Sequence, residues 1–134
     1  MKLITRDTDY AIRALIVIAQ SDKKIISVSD LVKEIDVPKP FLRKILQVLN
    51  KSKLLKSYKG KQGGFQLKKS PSKIFVLDLM GIFQGRFALN ECVFKKQVCP
   101  DIKVCRLKKR VDNIQKYVMS QLSGISLQSL YRKE

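Results

Sequence analysis

Apolar side chains recur along the first half of the chain at intervals of three and four. Over 9–20 they are Ile12, Leu15, Ile16 and Ala19, with Arg13 and Gln20 outside the stripe, which predicts a helix with one buried face. Thr8 or Asp7 can cap its start. The polar run Ser21, Asp22, Lys23, Lys24 ends it, and Ile25 and Ile26 suit a small strand. Ser27 then caps a second helix, over about 28–35, with Leu31, Val32 and Ile35 inward. Asp36 and Val37 turn the chain. Pro38 and Pro40 stand before and within the first turn of a third helix, where proline is tolerated. That helix runs to about residue 51, with Phe41, Leu42, Ile45, Leu46, Val48 and Leu49 on one face and Arg43, Gln47 and Asn50 on the other.

The period then shortens. Phe65 and Leu67 alternate with Gln66 and Lys68, so 54–59 and 65–69 read as two strands, joined by a turn at 60–64 that contains Gly60, Gly63 and Gly64. A further helix is expected at about 74–84, with Ile74, Leu77, Leu79, Met80 and Phe83 apolar, followed by a loop over 85–103. A long helix over 104–122 places Val104, Leu107, Val111, Ile114, Val118 and Leu122 at spacings of three and four, the pattern of a coiled-coil seam. A short terminal helix near 126–130 tucks Leu127 and Leu130 back onto the rest.

Two short helices joined by a tight turn, the second with a polar face, followed by a hairpin, make a mainly α fold with a small β-hairpin: a winged helix-turn-helix plus a long C-terminal helix. The organisation that follows is a winged head over 1–84, a cysteine-bearing loop over 85–105, and a dimerisation helix with tail over 104–134. The seam of the long helix also suits an ordinary helix packed on its own domain. An arm joining two copies is preferred, because a small reading head gains most from a two-fold partner.

Charge sharpens this picture. The chain of 134 residues carries 28 Lys and Arg against 11 Asp and Glu, a formal net charge of +17. Such an excess points to a polyanionic partner. Residues 37–77 hold eleven basic side chains and no acidic one, and they cover both the third helix and the hairpin. One sign of charge over both elements is the footprint of nucleic-acid binding. Arg43, Lys44 and Gln47, with Lys39 at the helix start, would meet the major groove of double-stranded DNA. Lys59 and Lys61, on a glycine-rich tip, would meet the minor groove or phosphates. A basic RNA- or ribosome-associated module is the alternative of another class.

The chain contains no histidine, which removes Ser-His-Asp and Cys-His catalysis, and it has no glycine-rich phosphate loop. Neither an enzyme nor a small-molecule binder is expected. The longest apolar run near the start covers only 14–19, too short for a secretory signal or a membrane span, so a cytoplasmic protein is expected.

Three cysteines remain. Six residues separate Cys92 from Cys99 and five separate Cys99 from Cys105. An odd count argues against a disulfide framework, and the spacing is not that of a zinc site. Three thiolates on a loop leading into a helix can hold an iron–sulfur cluster, given a fourth ligand. From spacing alone, three unrelated cysteines fit equally.

The chain as a whole resembles the Rrf2 superfamily of bacterial regulators, of the IscR and NsrR type. The resemblance rests on Met1, Lys2, Leu3 and the run 8–13, Thr-Asp-Tyr-Ala-Ile-Arg, in the first helix, and on Lys59-Gly-Lys-Gln-Gly-Gly-Phe in the wing. It rests also on the positions of Cys92, Cys99 and Cys105, and on Ile125-Ser-Leu-Gln-Ser-Leu near the end. It implies a homodimer on a partly palindromic operator and a [2Fe–2S] or [4Fe–4S] cluster held by Cys92, Cys99 and Cys105. It implies sensing of nitric oxide, oxygen, redox state or cluster supply. In the nitric-oxide-sensing type the fourth ligand is an acid at the start of the first helix, given by the partner subunit; the resemblance puts Asp9 there. An acid in a helix's first turn is also favoured by the helix dipole alone. A metal-free thiol-redox repressor using the same cysteines is the second reading.

Overall fold

A computed structural model of the chain describes residues 2–89 and 105–131. Helix α1 spans Arg6–Gln20, α2 Val28–Glu34 and α3 Lys39–Lys51. Strands β1, Leu55–Tyr58, and β2, Gly64–Leu67, follow, and then a 3-10 turn at Pro71–Lys73. Helix α4 is Val76–Gln84, α5 is Arg106–Ser123, and a second 3-10 turn occupies Gln128–Leu130. The mainly α architecture with one antiparallel hairpin is the one the periodicity predicts.

The core forms where the apolar stripes of α1, α2 and α3 meet. Ala11, Ala14 and Leu15 of α1, Leu31 of α2, and Leu42, Leu46 and Leu49 of α3 are fully buried. The two alanines let α1 lie close to its neighbours, and the leucines fill the space between. Helix α4 closes this core with Val76, Leu79 and Met80.

Helix α1 starts earlier than expected, and Thr5, not Thr8 or Asp7, is its N-cap. The reason is tertiary. Thr8 is fully buried and its hydroxyl donates to Gln84 Oε1 of α4 at 2.8 Å, so it is not free to cap. Asp7 and Asp9 fall in the first turn, where the dipole favours them. Helix α2 keeps the predicted cap. Ser27 Oγ accepts from the Asp30 N–H at 3.1 Å while Asp30 accepts from the Ser27 N–H at 3.4 Å, a reciprocal capping box.

At the end of α3, Lys53 adopts φ 65°, and the Leu54 N–H reaches back to the Leu49 carbonyl at 3.1 Å. This left-handed stop turns the chain into β1. The strands pair Leu55 with Leu67 and Tyr58 with Gly64. Ile26 adds a third rung, exchanging backbone hydrogen bonds with Phe65 at 2.9 and 2.8 Å, so the expected small strand is a single bridge. Gly64 is required by this contact: a Cβ there would run into the Ile26 carbonyl.

The C-terminal end of α5 is locked to the head. Leu122 is buried, and the chain after it pairs with the start of α4: Val76 N–H donates to Ile125 O at 3.0 Å and Leu127 N–H to Ile74 O at 2.7 Å. Leu127 is fully buried as expected, whereas Leu130 is 45% exposed, because the chain coils into a 3-10 turn that carries it outward. Helix α5 starts at Arg106, with Cys105 as its cap, and Val104 lies outside the described residues. Along α5, Leu107, Ile114 and Tyr117 are 69, 55 and 66% exposed.

Candidate nucleic-acid interface and cysteine site

The turn between α2 and α3 is tight: Val37 is buried and its N–H donates to the Ile35 carbonyl at 2.8 Å. With Leu42, Ile45, Leu46 and Leu49 committed to the core, Arg43 and Gln47 necessarily face outward. The hairpin returns beside them. A groove results, lined by Ser27 and Ser29 at the start of α2, by Lys39, Arg43, Gln47 and Asn50 of α3, and by Ser57, Tyr58, Lys59 and Lys61 of the hairpin. Five of the six expected DNA-contacting residues, Lys39, Arg43, Gln47, Lys59 and Lys61, are therefore on one surface. Lys44 is exposed but does not line the groove. It follows Arg43 by one residue, which is about 100° around the helix.

Among the described residues no acidic side chain lines this groove. The depression between α1 and α2 differs: Lys23 and Lys33 there face Asp30 and Glu34, and Lys23 Nζ lies 3.4 Å from Asp30 Oδ2. Ser27 holds the Asp30 carboxyl below its ordinary value of 3.8, through its side-chain hydrogen bond first and its backbone N–H second, with Lys23 adding a smaller pull.

Ser29, Ser57 and Tyr58 were not expected in the groove. Lys39 Nζ donates to Ser29 Oγ at 3.2 Å, which ties the start of α3 to α2. Tyr58 Oη donates to Gln66 Oε1 on the opposite strand at 2.9 Å, and Lys56 Nζ sits 5.3 Å from the Tyr58 ring centroid. These contacts stiffen the hairpin that presents Lys59 and Lys61. The only sequence signal for them was the polar character of positions beside a recognised helix and turn.

Cys105 caps α5, its Sγ accepting from the Lys108 N–H at 3.4 Å. It is half-buried and is a free thiol. Cys92 and Cys99 lie outside the described residues. Asp9 stands in the first turn of α1, its Oδ2 3.0 Å from Arg13 Nε one turn on, with both side chains well exposed. Among the described residues no three cysteine or acidic side chains converge on a metal position. The donor chemistry nonetheless suits an iron–sulfur cluster: soft thiolates with one harder carboxylate available at an exposed position.

Among the described residues no helix is long and apolar enough to cross a membrane. Residues 4–133 match the Rrf2 family, described as iron-dependent transcriptional regulators. The HTH-type transcriptional regulator NsrR of Oceanobacillus iheyensis is 28% identical over 129 residues, covering 95% of this chain and 88% of that protein. Among solved structures, CymR, the global cysteine regulator of B. subtilis, superposes with a TM-score of 0.77 at 21% identity, covering 99% of this chain and all of that one. IscR of T. potens superposes with a TM-score of 0.73 at 23% identity, over 97% of this chain and 85% of that one. These structural likenesses establish the fold, a winged helix, and the family match extends over nearly the whole chain. With its helix-turn-helix, basic wing and closing segment, the chain belongs to the Rrf2 family of DNA-binding transcriptional regulators.

Proposed function

We propose that the chain is a homodimeric regulator that reads an operator through the α3–hairpin groove and senses nitric oxide, redox state or iron–sulfur status through a cluster held by Cys92, Cys99 and Cys105. The observation that carries the reading is the groove itself. Four cations from two separate elements, Lys39, Arg43, Lys59 and Lys61, line it together with Gln47, and among the described residues no acid does. Arg43 and Gln47 have the geometry and donor sets to read base edges from the major groove, while Lys59 and Lys61 on the hairpin neutralise phosphate or enter the minor groove. Residues 1–84 form the reading head, 85–105 the sensing segment, and 104–134 the dimerisation helix and tail.

A cluster at the three cysteines would supply iron chemistry able to take up a small diatomic ligand or change redox state. The chain's own part is to hold and report. Cys105 caps α5, so a change at its sulfur acts on the first turn of the helix that carries Leu107, Ile114 and Tyr117. In a dimer joined through that helix, such a change alters the spacing of the two reading heads. Asp9, supplied by the partner subunit, is the proposed fourth ligand, and Arg13 holds one of its two oxygens, Oδ2. The competing reading is a metal-free thiol switch at the same cysteines.

Anaerobic reconstitution of the wild type, Cys99→Ala and Asp9→Ala, with absorption spectra, iron and sulfide analysis and operator binding, decides between them. The cluster reading expects a coloured wild type, loss of the cluster in Cys99→Ala, and an altered spectrum or nitric-oxide response in Asp9→Ala. An Asp9→Ala protein identical to wild type moves the fourth ligand to Glu91, Asp101 or an exogenous thiol. A wild type that never takes up iron leaves the thiol switch.

A further inference from the structure

Gln84 is the last residue of α4, and Gly85 after it takes φ +78°, turning the chain out of the helix towards the cysteine-bearing segment. Both ends of its amide are engaged. Oε1 accepts from the Thr8 hydroxyl at 2.8 Å and from the Thr5 N–H at 3.0 Å, and Nε2 donates to the Leu3 carbonyl at 3.1 Å. The two backbone partners fix the amide's orientation, since a flipped amide would set N–H against N–H and oxygen against oxygen. Because Thr8 donates to Gln84, the 3.1 Å contact between the two threonine hydroxyls must run from Thr5 to Thr8. Among the described residues Thr8 is the one buried polar side chain. One side chain thus satisfies donors and acceptors from Leu3 to Thr8, across some 80 positions of sequence.

This network does not touch the DNA groove. What it does is join the point where the chain leaves α4 to the turn that begins α1. Asp9 is part of that turn, its N–H donating to the Thr5 carbonyl at 3.0 Å. One residue further, the edge of Tyr10 meets the ring of Phe41 in α3, 5.7 Å between centroids, and Arg6 lies 5.2 Å above the same ring.

We propose that Gln84 is a positioning residue that holds the first turn of α1, and with it the Asp9 carboxylate offered to the partner subunit, against the end of α4. It rests on the reading of Asp9 as a ligand given above.

The test uses Gln84→Met, which keeps length but removes all three hydrogen bonds, Thr8→Val, which removes one hydroxyl, and Thr8→Ser, which restores it. In metal-free protein, amide hydrogen exchange at Asp9 and Tyr10 should quicken about tenfold or more in Gln84→Met and less in Thr8→Val, with Leu46 in α3 unchanged. After anaerobic reconstitution Gln84→Met should shift the absorption spectrum in the same direction as Asp9→Ala, and Thr8→Ser should match wild type in both measurements. Unchanged exchange at Asp9, or equal acceleration at Leu46, overturns the proposal. Should Gln84→Met not fold, the Thr8→Val and Thr8→Ser pair decides by the same criteria. A wild type that takes up no iron overturns the ligand reading instead, and exchange still decides whether Gln84 holds the turn.

Discussion

At the scale of single residues, the side chains of the groove divide by the chemistry of what they can recognise. Gln47 offers a donor and an acceptor side by side, which suits the major-groove edge of adenine. Lys61 offers a single mobile charge, which suits phosphate. Their alanine variants should therefore fail differently. Gln47→Ala should redistribute affinity among duplexes by about 1–3 kcal/mol at one base position, whereas Lys61→Ala should weaken every duplex alike and lower the salt slope by about one. Anisotropy titrations over a panel of operator variants measure both. A uniform loss in Gln47→Ala would remove it from base reading.

The residue scale is also where sequence and structure part most. Helical spacing alone exposes Arg43, Gln47 and Asn50, because the leucines opposite them must be buried. Ser29, Ser57 and Tyr58 were not legible, since their place depends on how the hairpin folds back beside the start of α2, which no local pattern encodes. Thr8 reads as a cap in sequence, and only its distant partner Gln84 shows why Thr5 takes that role. The cysteines are the converse case: they stand out in sequence, while Cys92 and Cys99 lie outside the described residues.

At the scale of elements, α2 is short, and its capping box matters more to it than to a longer helix. Ser27→Ala removes the hydroxyl that caps Asp30 N–H and should cost about 1 kcal/mol. The same change removes the largest cause of the lowered Asp30 pKa. A carboxyl lowered in the folded state adds stability above its unfolded value and loses it as pH falls through the folded value. The gap in stability between wild type and Ser27→Ala should therefore narrow below the ordinary Asp30 value of 3.8. Denaturant titrations across that range check it, and a gap that widens on acidification contradicts the assignment.

Helix α5 makes the second element-scale case. Its end is pinned by Leu122 and Leu127, yet Leu107, Ile114 and Tyr117 are solvent-exposed in a single chain. The spacing of Leu107 and Ile114 was legible in sequence, whereas Tyr117 was not part of that seam; the exposure of the two seam positions supports the proposed dimer. Ile114→Lys should place an unpaired charge in an apolar seam and give monomers with weakened operator binding. Sedimentation of both proteins at micromolar concentration reads this, and a monomeric wild type would end the claim.

At the scale of the whole molecule, the net charge of +17 is not spread evenly. The acids that exist include Asp7 and Asp9 in α1, Asp30 and Glu34 in α2, and Asp78 in α4, so the stretch holding α3 and the hairpin is left with cations alone. That asymmetry orients the molecule on a polyanion before any base is read. It also makes ionic strength the most direct probe of the central claim, that the α3–hairpin groove is the DNA-binding surface. Operator affinity should be measured from about 50 to 200 mM salt for the wild type and for a variant with Lys39, Arg43, Lys59 and Lys61 changed to alanine. For about six to ten phosphate contacts per dimer, log affinity should fall against log salt with a slope near −0.9 per contact, and the variant's slope should be markedly shallower. A wild-type affinity nearly independent of salt, or an equal slope in the variant, would contradict the account.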